Sequence, residues 1–551
     1  MAHDNHQRGG QGNGNGQDLP TMWIDPQACQ GCVLCLKACS AKAIRVRGGV
    51  AHILPQACVN CGDCFRACPH MAVRCRTTPL EHMRRFQHPV AAASPTLFSQ
   101  FGYRTTPNQI LLALERLGFQ QVMDMGWLCE MNSVAMEEYL LAHPELRPGI
   151  SPSCPAVIRL IAGRFPSLLG NVLPILPPRV FAGKVVKERL AQSQGWDPRE
   201  VGVFHIAPCA AKMVGPHDPV VLDQPYVDGV FSFREIYGPL LQALQGLEED
   251  HTLQKCSGAG IAWAMSGGQA AAVDVEHTLD VAGFDEVVRI LEMLEAGRLR
   301  DLRFLEAHIC PDGCLGGPLV VENHYRAKSV TLRQMRRFGA MSRVNRAKIK
   351  QFMAEGLYDW RQEARPCPLP PLDPDTSQAI AKMKAIQSLT ARLPGIECGV
   401  CGSPDCQTFA EDVILGRAGE DLCPFTLQRG GPHPAPAGRQ TVTVKDLVDK
   451  LGLEVAAGAG GLGREVKGGY ISDLLSDVMA NAQTGAVWLT IQAHQNVVAV
   501  AVLKELAAVI LVGGRAPAEE TVAKAEQEAV PVLAAPDDAF TLAGRLHALG
   551  L

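Results

Sequence analysis

Twenty cysteines stand among the 551 residues, most of them in short repeated spacings. Cys29, Cys32, Cys35 and Cys39 form C-x2-C-x2-C-x3-C, and Cys58, Cys61, Cys64 and Cys68 repeat it, closed by Pro69. Three such closely spaced thiolates can wrap one corner of a 4Fe-4S cubane, while the fourth, next to the turn, reaches a second cubane. That crossed rule assigns Cys29, Cys32, Cys35 and Cys68 to one cluster and Cys58, Cys61, Cys64 and Cys39 to the other. Four-Cys zinc sites use two well-separated C-x-x-C pairs, so zinc fits this spacing poorly. Clusters of this kind shuttle single electrons and do no bond chemistry themselves, so something downstream must use the electrons.

A second group of cysteines is spread over much longer intervals. Ser151-Pro152-Ser153-Cys154-Pro155, Ala207-Pro208-Cys209-Ala210-Ala211-Lys212 and Cys310-Pro311-Asp312-Gly313-Cys314, followed by Leu315-Gly316-Gly317, supply four thiols on three segments. These read as one buried four-thiolate site assembled from three loops, with Pro and Gly fixing tight turns and letting backbone amides approach the sulfurs. A third group, Cys398, Cys401, Cys406 and Cys423, gives C-x2-C-x4-C-x16-C, with Phe409-Ala410 inside it and Pro424 after it. A further 4Fe-4S cluster is expected there, and zinc is the alternative because the first pair alone would suit it.

The first repeat has the spacing of bacterial two-cluster ferredoxins. The three distant motifs, in their order and spacing over roughly Val90 to Arg337, resemble the catalytic domain of FeFe-hydrogenases. The resemblance implies that Cys154, Cys209, Cys310 and Cys314 hold a 4Fe-4S cubane and that Cys314 also bridges to a diiron subsite carrying carbonyl and cyanide ligands. It implies that Lys212 hydrogen-bonds a cyanide, a role suited to a mobile ammonium. It also implies that Ser94-Pro95-Thr96 and Ser266-Gly267-Gly268 line the diiron site. Ser153 stands where the family has a proton-carrying Cys, and a hydroxyl does not titrate near neutrality, so proton transfer is expected to be slower or rerouted. Ala207 and Gly215 replace the usual Met and Glu of the second motif, and Pro318 interrupts the usual glycine run. These departures look like those of the divergent, sensory hydrogenases. His308 sits where the family often has Met, and packing is its expected role. A scaffold that keeps only the cubane and serves in iron-sulfur assembly is the plainer reading of the same motifs.

The elements that must position these residues are legible in outline. Helix-period runs such as Pro107 to Leu117 and Phe284 to Ala296 alternate with strand-like segments such as Val201 to Ile206. After Gly438, Val442 to Leu451 and Asn496 to Leu506 read as helices, and Ala486 to Ile491 and Ala507 to Val512 as strands. Pro and Gly punctuation places seams at Thr77 to Pro79, Pro366 to Pro374 and Gly430 to Gly438. The expected architecture is an α/β multidomain chain: a disordered tail over 1–19, a ferredoxin-like α+β domain over 20–78, an α/β FeFe-hydrogenase-like domain over 88–365, a small 4Fe-4S domain over 376–438 and an α/β domain over 441–551. The last resembles DRTGG domains through Gly468-Gly469-Tyr470-Ile471-Ser472-Asp473-Leu474-Leu475-Ser476-Asp477, which implies a regulatory module. Gly458, Gly460 and Gly463 spell G-x-G-x-x-G, but Glu465 to Tyr470 reads as extended and not as a helix start, so a loop is expected rather than a phosphate cradle. The Pro-rich seam at Pro366 to Pro374 is expected to let the third cluster module sit apart from the central one.

Composition narrows the function class. With 47% hydrophobic and 20% charged residues and a formal net charge of -4, nothing asks for nucleic acid. The longest apolar stretch, Val497 to Val512, is cut by Lys504 and Glu505 and falls short of the roughly 20 residues of a membrane span. Clustered thiols in place of a disulfide framework indicate a reducing, cytoplasmic setting. Cys75, Cys129, Cys256 and Cys367 remain after the ligands are assigned and are expected to be small buried hydrophobes. An iron-sulfur oxidoreductase that interconverts hydrogen with protons and electrons is the leading expectation. A hydrogen or redox sensor with little turnover is the alternative. The expected partners are a soluble electron carrier such as ferredoxin and a signalling or redox partner of the final domain.

Overall fold

In the computed structural model the described residues are 21–217, 226–360, 365–425 and 442–549. The expected N-terminal tail and the seam at Gly430 to Gly438 lie outside them. The chain divides into two units, one up to residue 428 and one from 429 onward.

The first unit begins with two short antiparallel pairs, Met22–Ile24 with Val73–Cys75 and Ile44–Arg47 with Val50–Ile53. The second pair turns on Gly48-Gly49, both at positive φ, as a two-residue hairpin requires. The helices Leu34–Lys37 and Asp63–Ala67 start immediately before or on the third Cys of each repeat. Met22, Leu36, Ile44, Ala51 and Val73 form the small apolar centre between them.

The central region is built on two parallel sheets. One has the order Gln121–Asp124, His88–Ala93, Val201–Ala207, Gly229–Ser232; the other has the order Thr278–Ala282, Phe304–His308, Gly149–Ile150. Every residue of Val201–Ala207 and Phe304–His308 is buried, as expected of parallel strands covered by helices on both faces. Each distant motif leaves the carboxyl end of one of these strands: Ser94-Pro95 after Ala93, Cys209 after Ala207, Ser153-Cys154 after Ile150 and Cys310 after His308. Carboxyl ends of parallel strands are where open α/β sheets place their ligands. The helices Pro107–Arg116 and Phe284–Glu295 end one residue short of the predicted runs, and Val201–Ala207 extends one beyond.

The third cluster module pairs the helices Thr376–Arg392 and Cys406–Ile414 around Leu389, Leu393 and Phe409. It does not hang free. The Pro-rich seam is tied to the central domain by the Cys367 amide, which donates to the Ala162 carbonyl at 2.9 Å. The module itself lies against the ferredoxin hairpin, where the Val46 amide donates to the Gly402 carbonyl at 2.8 Å. A stretch of prolines sets local stiffness and says nothing about what the segment beyond it touches.

The second unit is a five-stranded sheet in the order Glu454–Ala457, Val532–Ala534, Ala508–Leu511, Ala486–Thr490, Gly468–Ile471, antiparallel only at its first pair. Its helices include Val444–Leu451 and Asn496–Leu503, the first opened by a reciprocal Thr443–Asp446 capping box. The G-x-G-x-x-G segment forms a single tight turn, Ala459–Gly461. A Cβ on Gly458 would fall 1.9 Å from the Val530 carbonyl oxygen and one on Gly461 2.4 Å from that of Ala529, so these glycines serve close backbone packing, as the loop reading anticipated. Trp488 is fully buried in the sheet and donates its indole N–H to the Ser472 carbonyl at 2.7 Å. Trp488→Ala is expected to destabilise this unit by about 3–5 kcal/mol. Denaturant titration should show an earlier transition for the second unit while the iron content of the chain stays unchanged.

Candidate metal centre

The crossed grouping of the first eight cysteines is present in space. Cys29, Cys32, Cys35 and Cys68 line one cavity of about 330 Å³ together with Val46 and Ala51. Cys39 lies with the other set, since its thiol and those of Cys58, Cys61 and Cys64 bear on one another electrostatically. Burial, with this mutual repulsion, pushes Cys35 and Cys39 up to about 11. Buried thiols gathered this way require a bound cationic core to lose their protons. Backbone amides already face the sulfurs: Ala51 to Cys29 at 3.4 Å, Ala43 to Cys39 at 3.3 Å and Ala72 to Cys68 at 3.2 Å. Amide-to-sulfur hydrogen bonds are one means by which a protein sets a cluster's potential. Cys398, Cys401, Cys406 and Cys423 likewise rim a cavity of about 290 Å³.

In the central domain Cys154, Cys209, Cys310 and Cys314 converge from three strand ends, and burial followed by the neighbouring thiols raises Cys209 to about 11. The loop carrying Cys314 is knitted in place by its amide, which donates to the Ala264 carbonyl at 2.8 Å. Asp312, at positive φ, accepts from His324 at 2.7 Å and from Lys328 at 2.7 Å, which anchors the turn to the helix His324–Phe338. Gly317 has no room for a side chain, because a Cβ there would lie 2.3 Å from the Pro208 carbonyl oxygen. The second and third motifs therefore touch backbone to backbone.

Beside Cys314 opens a cavity of about 400 Å³ lined by Ser94, Pro95, Met125, Cys129, Ser153, Pro178, Arg179, His205, Lys212, Trp263, Ala264 and His308. Lys212 Nζ donates to Cys314 Sγ at 3.1 Å. Burial alone would lift the Cys314 thiol, but the Lys212 ammonium and the His308 ring outweigh it and bring the thiol down to about 6. Conversely, burial would lower Lys212, and the Cys314 and Cys209 sulfurs hold it above its ordinary range instead. His205 is pushed down to about 3 by burial and by Lys212; its Nδ1 bonds the Ala92 carbonyl at 2.8 Å, and its Nε2, on the cavity, has no partner among the described residues.

Ser153 lines the cavity as expected, with its Oγ 3.0 Å from Ser151 Oγ and 3.2 Å from Gln269 Oε1. Of the two small-residue segments, only Ser94-Pro95 reaches the cavity. Ser266 instead donates to Asp280 at 2.9 Å, and Trp263 and Ala264, just before it, face the site. His308 does more than pack: its Nε2 meets the buried Glu306 carboxylate at 2.8 Å and Gln269 at 3.3 Å, and the ring helps to hold the Cys314 thiol down. Nor is Cys129 merely a buried hydrophobe, since it stands on the cavity wall. Its position on the helix Met125–Ala142 gives no motif that a sequence reading could catch.

These donors fit an iron-sulfur group. They are soft thiols gathered around common pockets, and the adjoining pocket supplies an ammonium, from Lys212, and a His205 imidazole nitrogen without a partner among the described residues. Among the described residues no three His, Cys, Asp or Glu side chains converge as the ligands of a single ion.

Residues 87–318 match the family model described as the iron only hydrogenase large subunit, C-terminal domain. Over those residues the chain is FeFe-hydrogenase large-subunit-like, and it also matches a 4Fe-4S dicluster domain at 21–69, an Fe-S cluster domain at 393–425 and a DRTGG domain at 446–549. Among solved structures it is similar to an FeFe-hydrogenase characterised for oxygen inactivation of its H cluster, at 17% identity over 53% of this chain and 97% of that one, with a TM-score of 0.41. It is also similar to apo HydA1 of Chlamydomonas reinhardtii, at 16% identity over 53% and 97% with a TM-score of 0.42. The CBS and DRTGG domains of the regulatory region of Clostridium perfringens pyrophosphatase match 19% of this chain and 45% of that one at 18% identity, with a TM-score of 0.17. No curated protein matches the chain in sequence. Among the described residues no helix is long and apolar enough to cross a membrane.

Proposed function

We propose that this protein is an iron-sulfur oxidoreductase that interconverts molecular hydrogen with protons and electrons, with a soluble electron carrier such as ferredoxin as its partner in the cytoplasm. The observation that carries the reading is the cavity beside Cys314, with Lys212 Nζ 3.1 Å from the sulfur. Cys154, Cys209, Cys310 and Cys314 would hold a 4Fe-4S cubane, and Cys314 would bridge to a diiron group in the cavity. When bound, that group supplies the hydrogen chemistry. The chain's own residues do the rest. Lys212 keeps the Cys314 sulfur ionised and presents N–H donors to an anionic ligand in a dry site, where a charge-assisted hydrogen bond is strong. Trp263, Met125 and Pro178 give the cavity its apolar wall. Cys129, His308 and Ser153 are the groups on the wall that can hold or pass a proton.

A second reading, a hydrogen or redox sensor with little turnover, is favoured by Ser153, a hydroxyl where a titrating thiol would speed proton delivery, and by the DRTGG module as the route to a signalling partner. An empty scaffold for iron-sulfur assembly would lack the diiron group and keep the cubane.

The cofactor set gives the test. Four cubanes on sixteen thiols, at four irons each, are expected after anaerobic reconstitution of the full chain. Maturation should add the two irons of the diiron group. Stoichiometric zinc, with the iron count short by one cubane, would show that Cys398, Cys401, Cys406 and Cys423 hold zinc instead.

A further inference from the structure

Resting on the reading that the thiol-lined cavities hold clusters, we infer that the 393–425 module is the terminal electron port of the chain, and that Arg45, Arg47 and Asp412 are positioning residues that hold it in line with the outer ferredoxin cluster.

The contact joins ligand loops and not distant surfaces. Val46 lines the cavity of Cys29, Cys32, Cys35 and Cys68, and its amide is bonded to the carbonyl of Gly402, the residue after Cys401. Arg47 donates to the Cys401 carbonyl itself at 3.0 Å and to Ser403 Oγ at 2.9 Å. A Cβ on Gly399, the residue after Cys398, would meet the Leu36 and Lys37 side chains at 3.3 Å, and Leu36 follows Cys35. One layer of residues therefore separates the two thiol-lined cavities.

The joint is anchored by a charge. Asp412 is fully buried and accepts from Arg45, from Arg47 at 3.0 Å and from Ser403 at 2.7 Å. Apolar packing would hold two modules together at least as strongly, because burying an ion pair carries a large desolvation cost. What two guanidinium groups and a hydroxyl converging on one buried carboxylate oxygen, Asp412 Oδ2, add is fixed register, while Oδ1 has no partner among the described residues. Register matters where two redox centres must stay at one separation.

The order of the centres follows from further contacts. The Cys35 and Cys64 thiols bear on each other electrostatically across the ferredoxin module. Arg66 feels both Cys61 and Cys310 and donates to the Gly316 carbonyl, which joins the inner ferredoxin set to the central site. In the third module Cys398 is exposed near the exposed Ile396 and Val400, with the exposed Leu422 beside Cys423. Small, transient redox contacts need only such a limited apolar rim. Each step moves one electron between neighbouring clusters, makes or breaks no bond in the protein, and is supplied from outside by a one-electron donor.

The test uses the full chain, reconstituted anaerobically and reduced with dithionite. The electron paramagnetic resonance spectrum is expected to show broadening from spin coupling between the third cluster and the outer ferredoxin cluster. Cys423→Ser should remove four irons and that broadening together. The double variant Arg45→Gln/Arg47→Gln should keep the full iron content and lose the broadening, because the module stays tethered but no longer in register. With a reduced two-cluster ferredoxin as donor in place of dithionite, Cys423→Ser should slow reduction of the remaining clusters. A spectrum unchanged by both variants, or reduction by ferredoxin as fast without the third cluster as with it, overturns the inference. Zinc in the third module also overturns it and leaves the carbonyl infrared bands of the central site in place. Absent carbonyl bands beside a spin-coupled third cluster would instead refute the proposed hydrogen chemistry and leave the port intact.

Discussion

Lys212→Met, in the matured chain, is expected to lower hydrogen turnover by about 10²–10³-fold, the usual consequence of removing one preorganised donor from a dry catalytic site. Three observations set that size. The ammonium is half-buried, it stands 3.1 Å from Cys314 Sγ, and it is the leading influence pulling that thiol down to about 6. Without it the half-buried Cys314 thiolate loses its leading counter-charge. Cys314 would then be a poorer bridging ligand, and the carbonyl and cyanide infrared bands should weaken or vanish while the cubane irons stay bound. Lys212→Arg keeps the charge but exchanges a compact ammonium for a planar fork, and should restore the thiolate better than the bands. Unaltered bands and turnover in Lys212→Met would remove Lys212 from the site's chemistry.

Ser153→Cys is expected to raise turnover by about 10²-fold if proton delivery limits the rate, since a positioned acid or base contributes on the order of 10²–10⁴. The hydroxyl is well placed but does not titrate near neutrality, whereas a thiol with an ordinary value of about 8.5 can. Ser151 and Gln269 already fix the position of the group, at 3.0 and 3.2 Å, so the substituted side chain enters a prepared niche. The measurement is hydrogen evolution with reduced viologen, compared at equal diiron content. An unchanged rate would place proton transfer elsewhere on the cavity wall, at Cys129 or at His308 with Glu306, and would favour the sensor reading.

Much of the site could be read from spacing alone, because each cluster's ligands are set by short local runs and by Cys-Pro turns at strand ends. Cys314, Lys212 and Ser153 all line one cavity, the grouping that the resemblance to FeFe-hydrogenases implied. The walls were less legible. Cys129 sits mid-helix with no pattern around it, and His308 could not be distinguished from a packing residue until the fold brought Glu306 and Gln269 to its ring. Ser266 was misplaced for a related reason: a small residue near a site in sequence can turn away, and here the helix turn presents Trp263 instead. The docking of the third module had no sequence signal. Arg45 and Asp412 are 367 residues apart, and no local propensity encodes such a pair. The Pro-rich seam between them pointed to separation, yet the segment beyond it carries its own buried carboxylate aimed at the ferredoxin hairpin.

A diiron group with carbonyl and cyanide ligands in the cavity beside Cys314 is what would set this protein apart from a scaffold that carries the cubane alone. Infrared spectroscopy of the full chain, matured anaerobically with the assembly factors of FeFe-hydrogenases, tests it most directly. Intense carbonyl and cyanide bands that change when argon is replaced by hydrogen are the expected result. A protein with its full complement of cubane iron and no such bands would contradict the account.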